Sequence, residues 1–380
     1  MNNNISIPTA VLLFTLFGGL LGLKFWFDDL ALDFRGPDHL HTDAAHNLYI
    51  QIGNQLLKHD AAGSFLKRYD LIDFGIANSY GDFAFFNNGD ILIRRGINDL
   101  SLLEKVKRYR RMTNKTTLAA PDEDSGLFRC NLESKKCVRF GDGSIDFNRT
   151  FHLFIDPQTE NVYIADSSRH TLRLFDVNGV QIAIKGTGFL FPNQLSLIEG
   201  SLYLADTNHH RLVSLYPTTE KFAKEIDSHL ILSNNPAVIS PELQRHHSQT
   251  WPATFTRTQD LWWVNVMNNG MRDGDIYLFD NDWRLQSLLD LPENADPMDL
   301  VQFNGHVLIS DLSLNRVYQF DQVGHRLQDF TSPGLQHTIA DNATQQGFYK
   351  NLSRTALAAF ILLFIGILLY ALKQSRSKPT

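Results

Sequence analysis

The chain has 380 residues, with 35 Lys and Arg against 41 Asp and Glu, a formal charge of −6. That balance supplies no basic face for nucleic acid, which is bound through clustered positive charge, so no nucleic-acid partner is expected. The length suits two average domains or one large all-β domain. With 27 Phe and 11% aromatic residues there is enough apolar bulk for a sizeable core.

The two ends stand apart from the rest. Residues 1–23 carry no charged side chain, and residues 7–23 are almost wholly apolar. Lys24, Phe25, Trp26 and Phe27 follow, an interfacial anchor of the kind that borders a membrane span. A cleaved signal peptide would have a basic start and a small-residue cleavage site, and neither is present. An uncleaved N-terminal transmembrane helix over residues 1–27 is therefore expected. At the other end, residues 355–372 form 18 uncharged residues between Arg354 and Lys373. That is close to the roughly 20 needed to cross a bilayer, so a second transmembrane helix is expected there, with a basic tail over 373–380. Gly18 and Gly22 form a G-x-x-x-G, which lets another helix approach closely. Its partner is either the C-terminal helix, with Ala359 and Gly366, or another membrane protein.

The soluble region, residues 36–345, opens with "HLHTDAAH" and then repeats itself. "NVYIADSSRHTLRLFDVNG" from Asn161, "SLYLADTNHHRLVSLYP" from Ser201 and "HVLISDLSLNRVYQFDQVG" from His306 each run from an apolar stretch to Asp166, Asp206 or Asp311. A four-residue polar loop and a second apolar stretch follow. Another strand-like run precedes each unit ("FHLFID", "NQLSLIEG", "MDLVQFNG"), and "VQIAIKG" and "HRLQDF" follow two of them. Weaker copies start at His46, Asp82 and Asp260, the last with Asn265 at the Asp position. Four short strands every 40 to 45 residues is the period of a propeller blade. Six units give an all-β fold, a six-bladed β-propeller flanked by N- and C-terminal transmembrane helices, with a charged insert at 101–112 in the second blade. "CNLESKKC" sits between apolar residues as a hairpin, placing Cys130 opposite Cys137 within reach of a disulfide. A disulfide persists in an oxidising compartment. It decides the orientation, because basic residues flanking the two spans leave that question nearly tied. The expected location is the bacterial inner membrane, with the propeller in the periplasm.

"FLFPNQLSLIEGSLYLADTNHHRL" resembles the NHL repeat, with Phe189, Pro192, Asp206, Thr207, Asn208 and Arg211 in place. The copy from Asn161 has Thr171 where Arg would stand. The copy ending in Asp311 keeps Asn315 and Arg316 but has Leu312 in place of Thr. The resemblance covers nearly all of the soluble region and is strong in three blades. It implies a six-bladed propeller, a fold that hosts binding platforms and, less often, enzymes.

The repeated Asp residues fit a structural role, their carboxylates accepting backbone N–H groups of the loop that follows. Arg211 and Arg316 are placed to pair with them. The loops themselves surround one mouth of the channel and carry Arg169, His170, His209, His210, Arg272 and Asn315. Trp251, after "RHHSQ", joins them, and loops holding Trp, Arg and His suit binding. His39 and His41, with His46 nearby, are candidate ligands for zinc or calcium. A peptide-amidating lyase and calcium-dependent hydrolases on related propellers hold metals on the axis, so the resemblance keeps a metal-dependent enzyme open. Sequons at Asn114, Asn148, Asn342 and Asn351 matter only in a glycosylating pathway. The expectation is a membrane-bound, non-catalytic platform for a protein or ligand, without a cofactor. The alternative is a metal-dependent lyase or hydrolase with its site in the channel.

Overall fold

A computed structural model describes residues 7–32, 34, 36–76, 81–95, 126–142, 151–230, 250–268 and 270–376. The insert at 101–112, Asn114, Asn148 and the segment 245–249 lie outside them. Short runs rich in β-branched and aromatic residues, separated by turn residues, form antiparallel strands. Among the described residues these strands make six sheets, the six blades of a propeller. Blade 1 holds β1 (Pro37–Thr42), β2 (Leu48–Ile52), β3 (Gln55–His59) and β4 (Phe65–Asp70). Blade 2 holds β5 (Ala84–Phe85), β6 (Ile91–Arg95), β7 (Gly126–Asn131) and β8 (Lys136–Arg139). Blade 3 holds β9 (Phe151–Ile155), β10 (Val162–Asp166), β11 (Thr171–Phe175) and β12 (Gln181–Lys185). Blade 4 holds β13 (Pro192–Ile198), β14 (Ser201–Asp206), β15 (Arg211–Leu215) and β16 (Glu225–His229). Blade 5 holds β17 (Trp251–Arg257), β18 (Trp262–Met267), β19 (Asp275–Phe279) and β20 (Leu285–Leu288). Blade 6 holds β21 (Pro297–Phe303), β22 (His306–Asp311) and β23 (Arg316–Phe320).

Each blade is a continuous piece of chain, and its first strand lies next to the channel. "HRLQDF" does not form a full fourth strand in blade 6. It touches β23 through a bridge between Phe320 and Arg326 and through bonds from Leu327 N to Gln319 O and Phe330 N to Val317 O. The ladder is broken because Gly324 and the run toward Pro333 turn the chain away.

A blade is apolar on both faces, so the core lies between blades. Tyr49 and Leu56 of blade 1 pack with Phe83, Ile93 and Phe128 of blade 2. Leu172 and Leu174 of blade 3 pack with Leu195 and Leu204 of blade 4. Trp263 and Leu278 of blade 5 pack with Leu300 and Ile309 of blade 6. Each such fully buried side chain contributes roughly 1.5–3 kcal/mol. Cys130 and Cys137 pair directly across β7 and β8 and form a disulfide.

The chain divides into two compact units, residues 36–336 and, separately, residues 1–35 with 337–380. The second unit contains α1 (Ile7–Leu32) and most of α2 (Pro333–Arg376). Both helices are long and apolar enough to cross a membrane by length and composition. Phe17 packs edge-on against Phe360 at 5.0 Å and lies 6.4 Å from Phe364. The two helices therefore meet through aromatic rings. Open space surrounds Gly18, Gly22 and Gly366 where a Cβ would be, so the G-x-x-x-G pair is not the contact between them.

Candidate functional site in the central channel

The first strand of every blade, or in blade 2 the two residues just before it, carries a polar residue followed by an apolar one, at one equivalent place facing the axis. The six pairs are His39–Leu40, Asp82–Phe83, His152–Leu153, Gln194–Leu195, Thr254–Phe255 and Asp299–Leu300. Their register agrees: Leu40, Leu153, Leu195, Phe255 and Leu300 face Ile50, Ile164, Leu204, Val264 and Ile309 of the second strands. That register also corrects one expectation. Pro192 faces Asp206 and Pro297 faces Asp311, but Pro252 faces Val266. Val266 thus holds the Asp position in blade 5, and Asn265 stands one residue earlier, donating to Pro297 O at 2.7 Å.

The polar ring locks neighbouring blades in alternation. In the even-numbered blades the side chain accepts an inner-strand N–H from the next blade. Asp82 accepts from Leu153 N (3.1 Å), Gln194 from Phe255 N, and Asp299 from Leu40 N (2.9 Å). In blades 3 and 5 the side chain donates forward. His152 Nε2 reaches Asn193 Oδ1 at 3.1 Å, and Thr254 donates to Met298 O at 3.0 Å. Asn193 donates its own N–H to Thr207 Oγ1 (3.1 Å), which donates to Pro252 O (2.7 Å). The amide oxygen of Asn193 therefore faces His152, which makes Nε2 the donor in that bond.

Blade 1 is joined by charge. His41 Nε2 donates to Asp82 Oδ1 at 2.6 Å. His39 Nδ1 lies 3.8 Å from both Asp82 and Asp299, and its Nε2 lies 3.9 Å from Asp38. Burial opposes the charged form of His39, but Asp38, Asp299 and Asp82 together outweigh it and raise its pKa to about 9. Burial likewise opposes the charge on His41, and Asp82 more than compensates, so its pKa is raised. For Asp82, burial favours the neutral acid, yet His41, His152 and His39 hold its carboxyl well below the usual range.

Sequence reasoning pointed to His39 and His41 and missed Asp82, His152, Asn193, Gln194 and Asp299. The polar–apolar pair once per blade was the available signal. As ligands for zinc or calcium the layer fits poorly. Both oxygens of Asp82 and of Asp299 already accept backbone N–H groups. Among the described residues no three His, Cys, Asp or Glu side chains are grouped to hold a metal ion.

Beyond this layer the channel opens into a cavity of about 390 Å³. Its inner end is His41, Asp82, His152, Gln194 and Asp299, and its walls include Phe85, Phe154, Ser196, Thr256 and Gln302. The lining uses the C-terminal halves of the first strands, so the cavity lies toward the turns between first and second strands. Gln194 to Ile198 gives it a depth of about 13 Å at roughly 3.3 Å per residue. The Asp loops emerge at the other end.

There the candidate rim residues mostly serve the frame. Arg169 pairs with Asp166 at 3.0 Å, and His170 Nδ1 accepts from Phe191 N at 2.8 Å. Asp206 accepts from Leu190 N, His209 and Arg211 (2.8, 2.8 and 3.0 Å). His210 donates to Thr250 O and packs edge-on to Trp251. Asp311 accepts from Ser313 N, Leu314 N and the Tyr318 hydroxyl, while Arg316 reaches Asp329 instead, at 3.4 Å. Asn315 packs beside Gly36, where an added Cβ would meet its Oδ1 at 2.7 Å. Arg272 stands exposed at its loop tip.

No protein-family model matches the chain, and no curated protein sequence does. Solved structures do. Virginiamycin B lyase from Staphylococcus aureus is similar at 11% identity over 77% of this chain and 83% of that one, TM-score 0.47. Sqt1 of Saccharomyces cerevisiae is similar at 14% identity over 78% and 86%, TM-score 0.45. The likeness is one of fold.

Proposed function

We propose that the chain is a membrane-anchored binding protein of NHL-like build, held at the bacterial inner membrane by α1 and α2 with its blades in the periplasm. It takes a ligand, free or presented by a protein partner, into the channel cavity and performs no chemistry of its own. The cavity carries this reading. It has a rigid hydrogen-bonded inner end, mixed polar and apolar walls, and a volume at the small end of the range for ligand sites. The disulfide supports an oxidising compartment, and the two apolar helices support the anchor. The open face at Gly18 and Gly22 suits a further membrane partner.

The test is photo-crosslinking in the intact membrane protein, with the reactive residue at Ser196 or Thr256 in the cavity and at Arg169 or Arg272 on the rim. Adducts from the cavity positions are expected. Adducts from the rim alone would sink the channel reading and leave a platform on the Asp-loop face.

A second reading rests on one observation. Asp82 and His41 form a close carboxylate–imidazole pair at the end of the cavity, the arrangement that orients a general base. Metal analysis of the intact protein purified without chelators bears on the metal-dependent form of this alternative. Near-stoichiometric zinc or calcium would favour an enzyme.

A further inference from the structure

A ring of blades needs a closing contact between the last blade and the first. Among the described residues no sheet mixes strands from the two ends of the chain. The closure is made on the inside by Leu40 N to Asp299 and by Ser310 Oγ to Asp38 O, at 2.9 Å each. On the outside it is made by the segment that leads into α2. Phe330 packs over Gly63, where even an added Cβ would come within 3.1 Å of its ring, and sits edge-on to His59 and Phe303. Ser332 is the helix N-cap, its hydroxyl accepting from Leu335 N at 3.1 Å, with Pro333 in the first turn where its missing N–H is no loss. The same hydroxyl lies 2.8 Å from Nε2 of His59, a residue of β3 with no solvent exposure. Gly334 sits so close to Phe65 of β4 that an added Cβ would lie 2.4 Å from the ring. Leu335 is buried.

We propose that the root of α2, residues 330–336, is the latch that closes the propeller, and that the ring opens selectively at the seam between blades 6 and 1. Three observations point there. Among the described residues blade 6 has no regular fourth strand to cover this seam. A cavity of about 420 Å³, bounded by Ala62, Gly63, Phe303, His306, Gln328 and Phe330, leaves the latch segment open space on one side. The contact also turns on one imidazole that burial holds neutral, its pKa lowered to about 4. His59 faces Phe65, Phe330, Ser332 and the backbone of Leu48 and Leu57, with the Asp60 carboxylate nearby. Protonating it therefore works against the latch. Since α2 is also an apolar helix of membrane length, the peptide that closes the ring is the peptide that enters the anchor.

Hydrogen exchange followed by mass spectrometry on the full-length protein in lipid nanodiscs tests this. Gly334→Leu, which drives a side chain into Phe65, is expected to raise exchange at least tenfold in Gln55–His59, Phe65–Asp70 and Arg316–Phe320. Phe151–Ile155 and Pro192–Ile198 should be unchanged. Ser332→Ala, which adds no bulk, should give the same pattern more weakly and guards against a variant that fails to fold. Wild-type protein at about pH 4 should show it too, and His59→Phe should not respond to that acid shift at the seam. Equal loosening of all six blades, or no change at the seam in either variant, overturns the proposal.

Discussion

The Asp loops and the channel ring use the same residue types, Asp and His with a few amides and hydroxyls, to opposite ends. In the loops the partners are close in sequence. Asp166 holds Arg169, Asp206 holds Leu190 N and Arg211, and Asp311 holds Tyr318. In the ring they are far apart. Asp82 joins His41 and Leu153, Gln194 joins Phe255, and Asp299 joins Leu40. A loop can take its shape within one blade. The ring comes into being only when six blades have met, so it reports assembly.

The sharpest way to break this contrast is Asp82→Ala. It leaves the half-buried His41 without its carboxylate and the N–H groups of Phe83 and Leu153 without an acceptor, a loss of about 3 kcal/mol. Denaturant unfolding of the intact protein in detergent measures it, and a loss below that of any Asp-loop variant would contradict the contrast. Next comes alkaline pH. The pKa of His39 is raised above its ordinary 6.5 to about 9, so its contribution is complete below pH 6.5 and is lost as pH rises through 9. Over that window the loss is about 3 kcal/mol at roughly 1.4 kcal/mol per pH unit, and His39→Gln should flatten the curve. Asp206→Ala should cost about 1–3 kcal/mol by leaving Leu190 N, His209 Nδ1 and Arg211 Nε without their acceptor, with faster hydrogen exchange confined to blade 4. The smallest effect belongs to Arg316→Ala. Its exposed pairing with Asp329 is worth about 1 kcal/mol or less, and thermal unfolding should barely move.

What could be seen in the sequence follows the same division. The blades were legible at Asp166, Asp206 and Asp311, because strand, loop and strand sit within 20 residues and repeat. The hairpin at Cys130 and Cys137 was legible for the same reason. Blade 5 misled, since "WWVNV" offers Asn265 as a stand-in for Asp where the register places Val266. His39 and His41 were visible as residues but not as the charged bridge between blades 2 and 6. Their partners lie 43 and 260 residues away from His39 along the chain. The final strand of blade 6 was overcalled because "HRLQDF" has the right alternation, while the turn toward α2 takes most of it off the ladder.

Contiguous blades also set an order of birth. Every blade from the second to the sixth is made next to one already present, but blade 1 finds its second neighbour last. At roughly 5–20 residues per second, blade 1 must wait about 15 to 50 s with its far face uncovered before the chain reaches Phe330. Nascent chains halted short of that residue are expected to be cut by protease within blade 1 while blades 3 and 4 resist.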